Sequence, residues 1–281
     1  MPSKFPCSFH FIKLLLVLFL VPLTMNSQSY KLVWADNFEY NGKPDPEKWN
    51  YETGFIRNLE EQIYTSRKKN VRIRNGKLEI IARKEKYRNS RFDPTVRNYR
   101  INTAYAEYTS GSINTKDKFE FRYGRVEVRA KLPQGEGIWP AIWMLGANFD
   151  QIEYPLAGEI DIMEYVGKTP NEIHSTVHFP GNKRKEIKSN GGTKTLNSPY
   201  ENFHIYSLNW TPEKIDFLID NSVFHSFKID EAGEKNNPFR KPFYLILNLA
   251  LGGNWAGDVD PEVFPQKFVI DYVRVYKKIE E

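Results

Sequence analysis

Apolar residues recur at every second position along most of the chain, the period of a β-strand with one face buried. "VRIRNGKLEIIAR" (71–83) alternates on both sides of Asn75-Gly76, which predicts a hairpin with a two-residue turn. "YGRVEVRAKLP" (123–133) alternates cleanly, and further strands are expected at 138–146, 158–166, 173–179, 203–210, 214–220, 222–229, 242–251 and 267–277. Asp220-Asn221 separates two of these runs as a second tight turn. No stretch keeps a helical period for more than about two turns, and "PDPEKWN" (44–50) offers at most a short surface helix. Many strands at short spacing predict an all-β protein, a sandwich or barrel in one domain.

The N-terminal stretch breaks this pattern. Lys4 and Lys13 precede and open the apolar run "LLLVLFLVPLTM" (14–25), which Asn26-Ser27 follow. A run that short falls below the roughly 20 residues of a membrane span and reads as an export signal, residues 1–27. Residues 28–281 would then be the exported domain, secreted or periplasmic and free of the membrane once cleaved. The single cysteine, Cys7, lies before the apolar run, so the exported part has neither a disulfide nor a cysteine–metal site. A formal charge of +5 on 281 residues is too modest to imply nucleic acid. Basic residues gather at 83–100 and 183–188, where solvated loops are the plain reading and contact with an anionic glycan the alternative.

The chemistry concentrates in "GEIDIMEYVG" (158–167). Glu159 and Asp161 share a strand face, whereas Glu164 falls out of phase. One β-bulge at Ile162-Met163 would restore the phase and set three acids in a row. The outer two backbones would then lie about 13 Å apart, and inward-leaning glutamates would close that to several ångströms. Retaining glycosidases need about 5–5.5 Å and inverting ones about 6.5–9.5 Å, so the geometry leans toward retention without deciding it. Adjacent carboxylates raise one another's pKa, which suits one acid and one nucleophile. The competing reading is a calcium site on an acidic strand. Aromatic residues make up 15% of the chain; most fill the core, while Trp139, Trp143 and Trp255 lie near the acidic strand and suit a sugar-stacking groove.

The acidic segment resembles the signature of glycoside hydrolase family 16, in the longer form with a bulge residue that is similar to the laminarinases. "WPAIWMLG", "LVWADNFEYNGKPDPEKWNYETG", "IHSTVHF", "NLALGGNW" and "DYVRVYK" extend the resemblance over nearly all of residues 28–281. It implies a β-jelly roll of two antiparallel sheets, a concave substrate cleft and a retaining double displacement. Glu159 matches the nucleophile, Glu164 the general acid/base and Asp161 the assisting carboxylate. Asn58, Trp139, Trp143, His178 and Trp255 match cleft residues. No cofactor is implied for catalysis. A structural calcium on the convex side is implied through Asp271, with Glu39 and Gly76 as carbonyl donors. Two positions depart from the laminarinase pattern: Ile56 stands where a tryptophan is common, and Ser112 where an arginine is common.

The expected activity is endo-hydrolysis of 1,3-linked or mixed 1,3/1,4-linked β-glucan by a monomer. Hydrolysis of a galactan such as agar, porphyran or carrageenan is the alternative enzyme reading, in which the basic loops meet sulfate. A non-catalytic jelly-roll lectin is the alternative outside enzymes, since fold alone does not give function.

Overall fold

The structure is a computed structural model that describes Met1, residues 30–183 and residues 185–279. The expected export signal and Cys7 lie outside the described residues. Among those described, no helix is long and apolar enough to cross a membrane.

The chain runs through β1 (Tyr30–Asp36), β2 (Asn50–Tyr51), β3 (Gln62–Tyr64), β4 (Val71–Arg74), β5 (Lys77–Arg88) and the short α1 (Tyr99–Asn102). It continues through β6 (Tyr105–Ser110), β7 (Ser112–Asn114), β8 (Gly124–Lys131), β9 (Ile138–Gly146), β10 (Glu159–Glu164) and β11 (Glu172–Pro180). Then come β12 (Ile187–Thr195), β13 (His204–Trp210), β14 (Lys214–Ile219), β15 (Ser222–Lys228), β16 (Phe243–Leu251), α2 (Gly253–Ala256) and β17 (Gln266–Lys278). One sheet orders its strands β12-β11-β10-β9-β16-β7-β2, and the other follows β15-β14-β13-β8-β17-β5-β6-β3, with β1 on β17 and β4 on β5. All pairs are antiparallel except β3 with β6. The fold is the jelly-roll sandwich that the strand pattern and the resemblance imply.

The two sheets meet over one large core. Ile138, Ile142 and Met144 of β9, Ile173 and Val177 of β11, and Leu245, Leu247 and Leu249 of β16 meet Val126, Val128, Tyr206, Leu208, Phe217 and Val273 of the opposite sheet. The other face of β9 carries Trp139, Ala141, Trp143 and Leu145, in small clusters separate from that core. Alternation explains this division: odd residues of β9 face one side and even residues the other. Because all nine residues of β9 are buried, polarity alone could not have told the faces apart.

Both predicted turns form. Asn75 and Gly76 take φ of 53° and 69°, and Asp220 and Asn221 take 49° and 67°, the paired positive values of a type I′ turn that matches strand twist. Residues 44–50, which the sequence allowed at most a short surface helix, hold a turn closed by the Trp49 N–H donating to the Asp45 carbonyl at 2.9 Å. Trp49 is buried and its indole N–H donates to Asp36 at 2.9 Å, so tertiary packing rather than local period decides that segment. β12 was not expected: its polar, lysine-bearing sequence is that of an exposed edge strand, which gains from charge rather than apolar alternation.

Candidate active site

β10 lies between β9 and β11, and its register slips by one residue on both sides. Against β9, Asp161 pairs with Trp143 and Met163 with Ile142; against β11, Asp161 pairs with Thr176 and Glu164 with His174. The extra residue is the expected bulge. Ile162 and Met163 both enter the main core, and beyond them Glu164 emerges on the face of Glu159 and Asp161. All three acids line one cleft of about 570 Å³ on the outer face of this sheet.

The acids have different neighbours. Asp161 is 3% exposed, whereas Glu159 and Glu164 are partly open to the cleft. His178 places Nε2 3.3 Å from Asp161 Oδ2 and 3.9 Å from Glu159 Oε1, while its Nδ1 sits 2.6 Å from Ser189 Oγ. Trp139 donates its indole N–H to Glu164 Oε1 at 3.1 Å, and Tyr154 lines the cleft with the acids. Burial, with the Asp161 charge second, pushes Glu159 well above the usual carboxylate range, opposed by His178 and Arg57. Burial takes Asp161 to about 8. Burial and the Asp161 charge take Glu164 to about 8, opposed by the Trp139 N–H and by His178. Three carboxyls so placed cannot all ionise at neutral pH, which keeps an acid and a base in one site.

Every cleft residue expected from the sequence reaches this groove: Asn58, Trp139, Trp143, His178 and Trp255 all line it. Their roles divide, however. Trp255, on α2, is partly exposed and packs edge-on to Trp139 at 5.2 Å and to His174 at 5.1 Å. Trp143 is only 6% exposed. Its ring is faced by the Arg57 guanidinium at 4.9 Å, and its N–H donates to Asn248 Oδ1 at 2.6 Å. Trp143 thus lines the groove as expected, with a cation against one side of its ring.

Of the groups that hold Trp143, Glu60 and Gln62 match the laminarinase pattern around Ile56, whereas Tyr64 and Asn248 were not singled out from the sequence. Asn248 donates to the Tyr64 hydroxyl at 3.1 Å, Tyr64 donates to Glu60 Oε2 at 3.0 Å, and Gln62 donates to the same oxygen at 2.7 Å. Gln62, in turn, accepts the Leu251 N–H at 2.7 Å. Gln62 and Tyr64 of β3 and Asn248 of β16 are polar positions buried within otherwise apolar strands, the signal by which alternation could have indicated them. Arg57, Arg100, Tyr154 and Thr176 also line the cleft. Arg100 comes from the basic run at 83–100, read from the sequence chiefly as a solvated loop.

Metal fits poorly at either candidate place. Glu159, Asp161 and His178 bring one ligand atom each within 4.8 Å of one another, but calcium takes six to eight oxygens and an imidazole is not among its preferred donors. On the opposite sheet, the Asp271 carboxylate is already shared by two cations, with Lys77 Nζ 3.5 Å from Oδ1 and Arg129 Nη1 2.5 Å from Oδ2. Gly76, in the turn beside Lys77, takes φ of 69°, and Glu39 is exposed. With two positive side chains on its carboxylate, Asp271 does not fit the calcium ligand that the resemblance implies.

The family model for glycosyl hydrolases family 16 matches residues 58–274. A beta-glucanase of Rhodothermus marinus is 41% identical over 263 residues, covering 89% of this chain and 86% of its own length. The solved laminarinase of Rhodothermus marinus superposes with a TM-score of 0.78 at 40% identity, covering 90% of this chain and 99% of that one. A further structure, from work on endo-acting O-glycanases of the human gut microbiota that initiate mucin breakdown, superposes with a TM-score of 0.85 at 38% identity, covering 92% and 94%. With the bulged acidic strand set in a jelly-roll cleft, a match of this extent means that the chain belongs to glycosyl hydrolases family 16.

Proposed function

We propose that this chain is a retaining endo-β-glucanase that cleaves internal bonds of 1,3-linked or mixed 1,3/1,4-linked β-glucan. The observation that carries the reading is the bulge at Ile162-Met163, which returns Glu164 to the cleft face of Glu159 and Asp161. Glu159, as carboxylate, attacks the anomeric carbon while Glu164, as acid, gives its proton to the departing glycosidic oxygen. A covalent glycosyl-enzyme results. Glu164, now a carboxylate, takes a proton from the water that releases the sugar and regenerates Glu159. Asp161 and His178 lie together beside Glu159, where they hold its carboxylate in place and share the local charge. Neither displacement needs a cofactor. The names of the beta-glucanase and laminarinase relatives support β-glucan as substrate. Export through residues 1–27 and a monomeric state complete the proposal.

A second reading, cleavage of a β-galactoside chain, is favoured by the altered region around Ile56 and Arg57. Where laminarinases often carry a tryptophan this chain has Ile56, and Arg57 covers the Trp143 ring. The test is a reducing-sugar assay on laminarin, barley glucan, agarose and carrageenan, with the anomeric form of the first product followed by NMR. Glucan cleavage giving the β-anomer first supports the leading reading. Cleavage confined to a galactan moves the substrate, and an α-anomer first ends the retaining mechanism.

A further inference from the structure

The sheet that contains β8 and β17 turns one face to the core and the other away from the cleft. β8 sends Val126, Val128 and Ala130 into the core, so Arg125, Glu127, Arg129 and Lys131 stand on the outer face. By the same alternation β4 presents Arg72 and Arg74, β5 presents Lys77 and Glu79, and β17 presents Lys267. Register makes these residues neighbours. Arg74 pairs with Lys77, Arg72 with Glu79, Glu79 with Val269 and Val269 with Lys131. Lys267 therefore lies on the diagonal from Lys131, a spacing of about 7–8 Å.

Cations outnumber acids on this face, and each acid is already engaged. Glu79 is shared by Arg72 at 2.7 Å and Lys267 at 3.2 Å, Asp271 by Lys77 and Arg129, and Glu127 is held by Arg125 at 2.7 Å. Arg74 and Lys131 make no ion pair among the described residues. Arg74 is exposed directly opposite Lys77, a like-charge pairing that works against the sheet. Lys131, Lys77 and Arg129 gather around one ring, 5.9, 5.9 and 4.8 Å from the centre of Phe203. Nothing in the core requires this crowding, and a bound polyanion would relieve it.

Beside Lys131 and Lys267 the face opens into a pocket of about 460 Å³, lined also by Pro133, Gln134, Tyr200 and Pro265. Its apolar walls and its amide suit a sugar ring, while the two ammonium groups suit an acidic substituent. None of the exposed large apolar side chains lies on β4, β5, β8 or β17, so the face lacks the anchors by which proteins enter a lipid surface. Arg74 and Lys131 are three strand spacings apart, about 14 Å, a span that a chain of acidic groups can cover and a single anion cannot.

We propose that this face is a second, non-catalytic docking site for a polyanionic polysaccharide. Its acidic groups meet Lys131, Lys267 and Arg74, and one of its sugar rings enters the pocket at Tyr200. The cleft, on the other sheet, stays open to its own substrate.

The probe is dextran sulfate, with unsulfated dextran of the same length as its neutral match; both are α-linked and neither is a β-glucan. The sulfated chain should bind about tenfold tighter or more, and the difference should shrink as salt rises. Lys131→Glu with Arg74→Glu, which together break no ion pair, should lower that affinity about tenfold while Tm and laminarin cleavage stay unchanged. Arg100→Glu makes the same kind of charge change at an exposed position in the cleft and should lower it far less. Equal affinity for dextran sulfate and dextran overturns the proposal. A loss in Arg100→Glu as large as in the double variant overturns it as well, since binding would then follow net charge or the cleft. Tighter binding to phosphatidylglycerol vesicles or to a DNA duplex than to dextran sulfate would assign the face to a lipid or a nucleic acid instead. None of these outcomes alters the reading of the catalytic acids, which stand on the opposite sheet.

Discussion

Trp139 and Trp143 lie four residues apart on β9, on one face and in one cleft, yet their surroundings differ in kind. Trp139 gives its N–H to Glu164, and the partly exposed Trp255 stands edge-on beside it. Trp143 gives its N–H to Asn248, at the end of a buried polar chain through Tyr64 to Glu60, and a guanidinium covers its ring. The first region is arranged around a proton and the second around shape and charge. The same residue type on the same strand thus serves chemistry at one end and architecture at the other, according to what neighbouring loops bring to it.

The largest expected effects concern the first region. Glu159→Ala should reduce turnover to background while oligosaccharide affinity is kept, since the nucleophile acts only after binding. Glu164→Ala should lose about 10²–10⁴-fold on substrates with poor leaving groups, the usual worth of a general acid. The loss should be smaller on aryl glycosides with good leaving groups, with azide restoring rate there. Near-native activity in both variants would remove the chemical half of the comparison.

Trp143→Ala comes next and tests the second region. A core-like tryptophan at 6% exposure should cost about 3 kcal/mol or more when truncated, on the order of 10 °C in Tm for a domain of this size. Trp255→Ala should instead raise KM with a small change in Tm. The comparison is sharpened if thermal and kinetic losses separate in this way, and broken if Trp143→Ala lowers kcat/KM alone.

Smaller effects follow from protons. Glu164, held at about 8, keeps its acid form at neutral pH, so kcat/KM should fall as pH rises through about 8. The Trp139 N–H favours the ionised form, so Trp139→Phe should move that fall upward by about one pH unit. Stability carries the matching sign. The folded protein holds the Glu164 proton from about pH 4 to about 8, where the unfolded chain has lost it, so this group's contribution declines as pH rises across that window. Glu164→Gln should consequently raise Tm relative to the parent more at pH 9 than at pH 5. The smallest effect is expected on the opposite sheet: because Lys77 and Arg129 share the Asp271 carboxylate, a chelator should leave Tm within about 1 °C.

The acids were legible because a phase break in a period-two pattern has one simple cure, a bulge, and β10 contains it. The strands of the sandwich were legible for the same reason: their alternation is what burial on one face demands. β9 was harder, since both its faces are buried, one against the core and one under cleft loops. Arg57 and Arg100 were not legible as a pair. Their placement in one cleft depends on Tyr99 reaching Arg57 across 42 residues of chain, a contact that no local pattern encodes. Asp271 could be placed near the calcium region by resemblance, but its two cationic partners come from different strands and appear only in three dimensions.

The bulge also makes β10 tolerant of one particular change in length. On β11, Thr176 and His174 are two residues apart opposite Asp161 and Glu164. A chain lacking Met163 would read Glu-Ile-Asp-Ile-Glu and pair with β11 as a regular strand, its three acids still on one face. Loss of a residue between Glu159 and Asp161, by contrast, would turn one acid into the core. A one-residue deletion is therefore expected to keep the three acids on one face at one place in this strand and to break that arrangement two positions away.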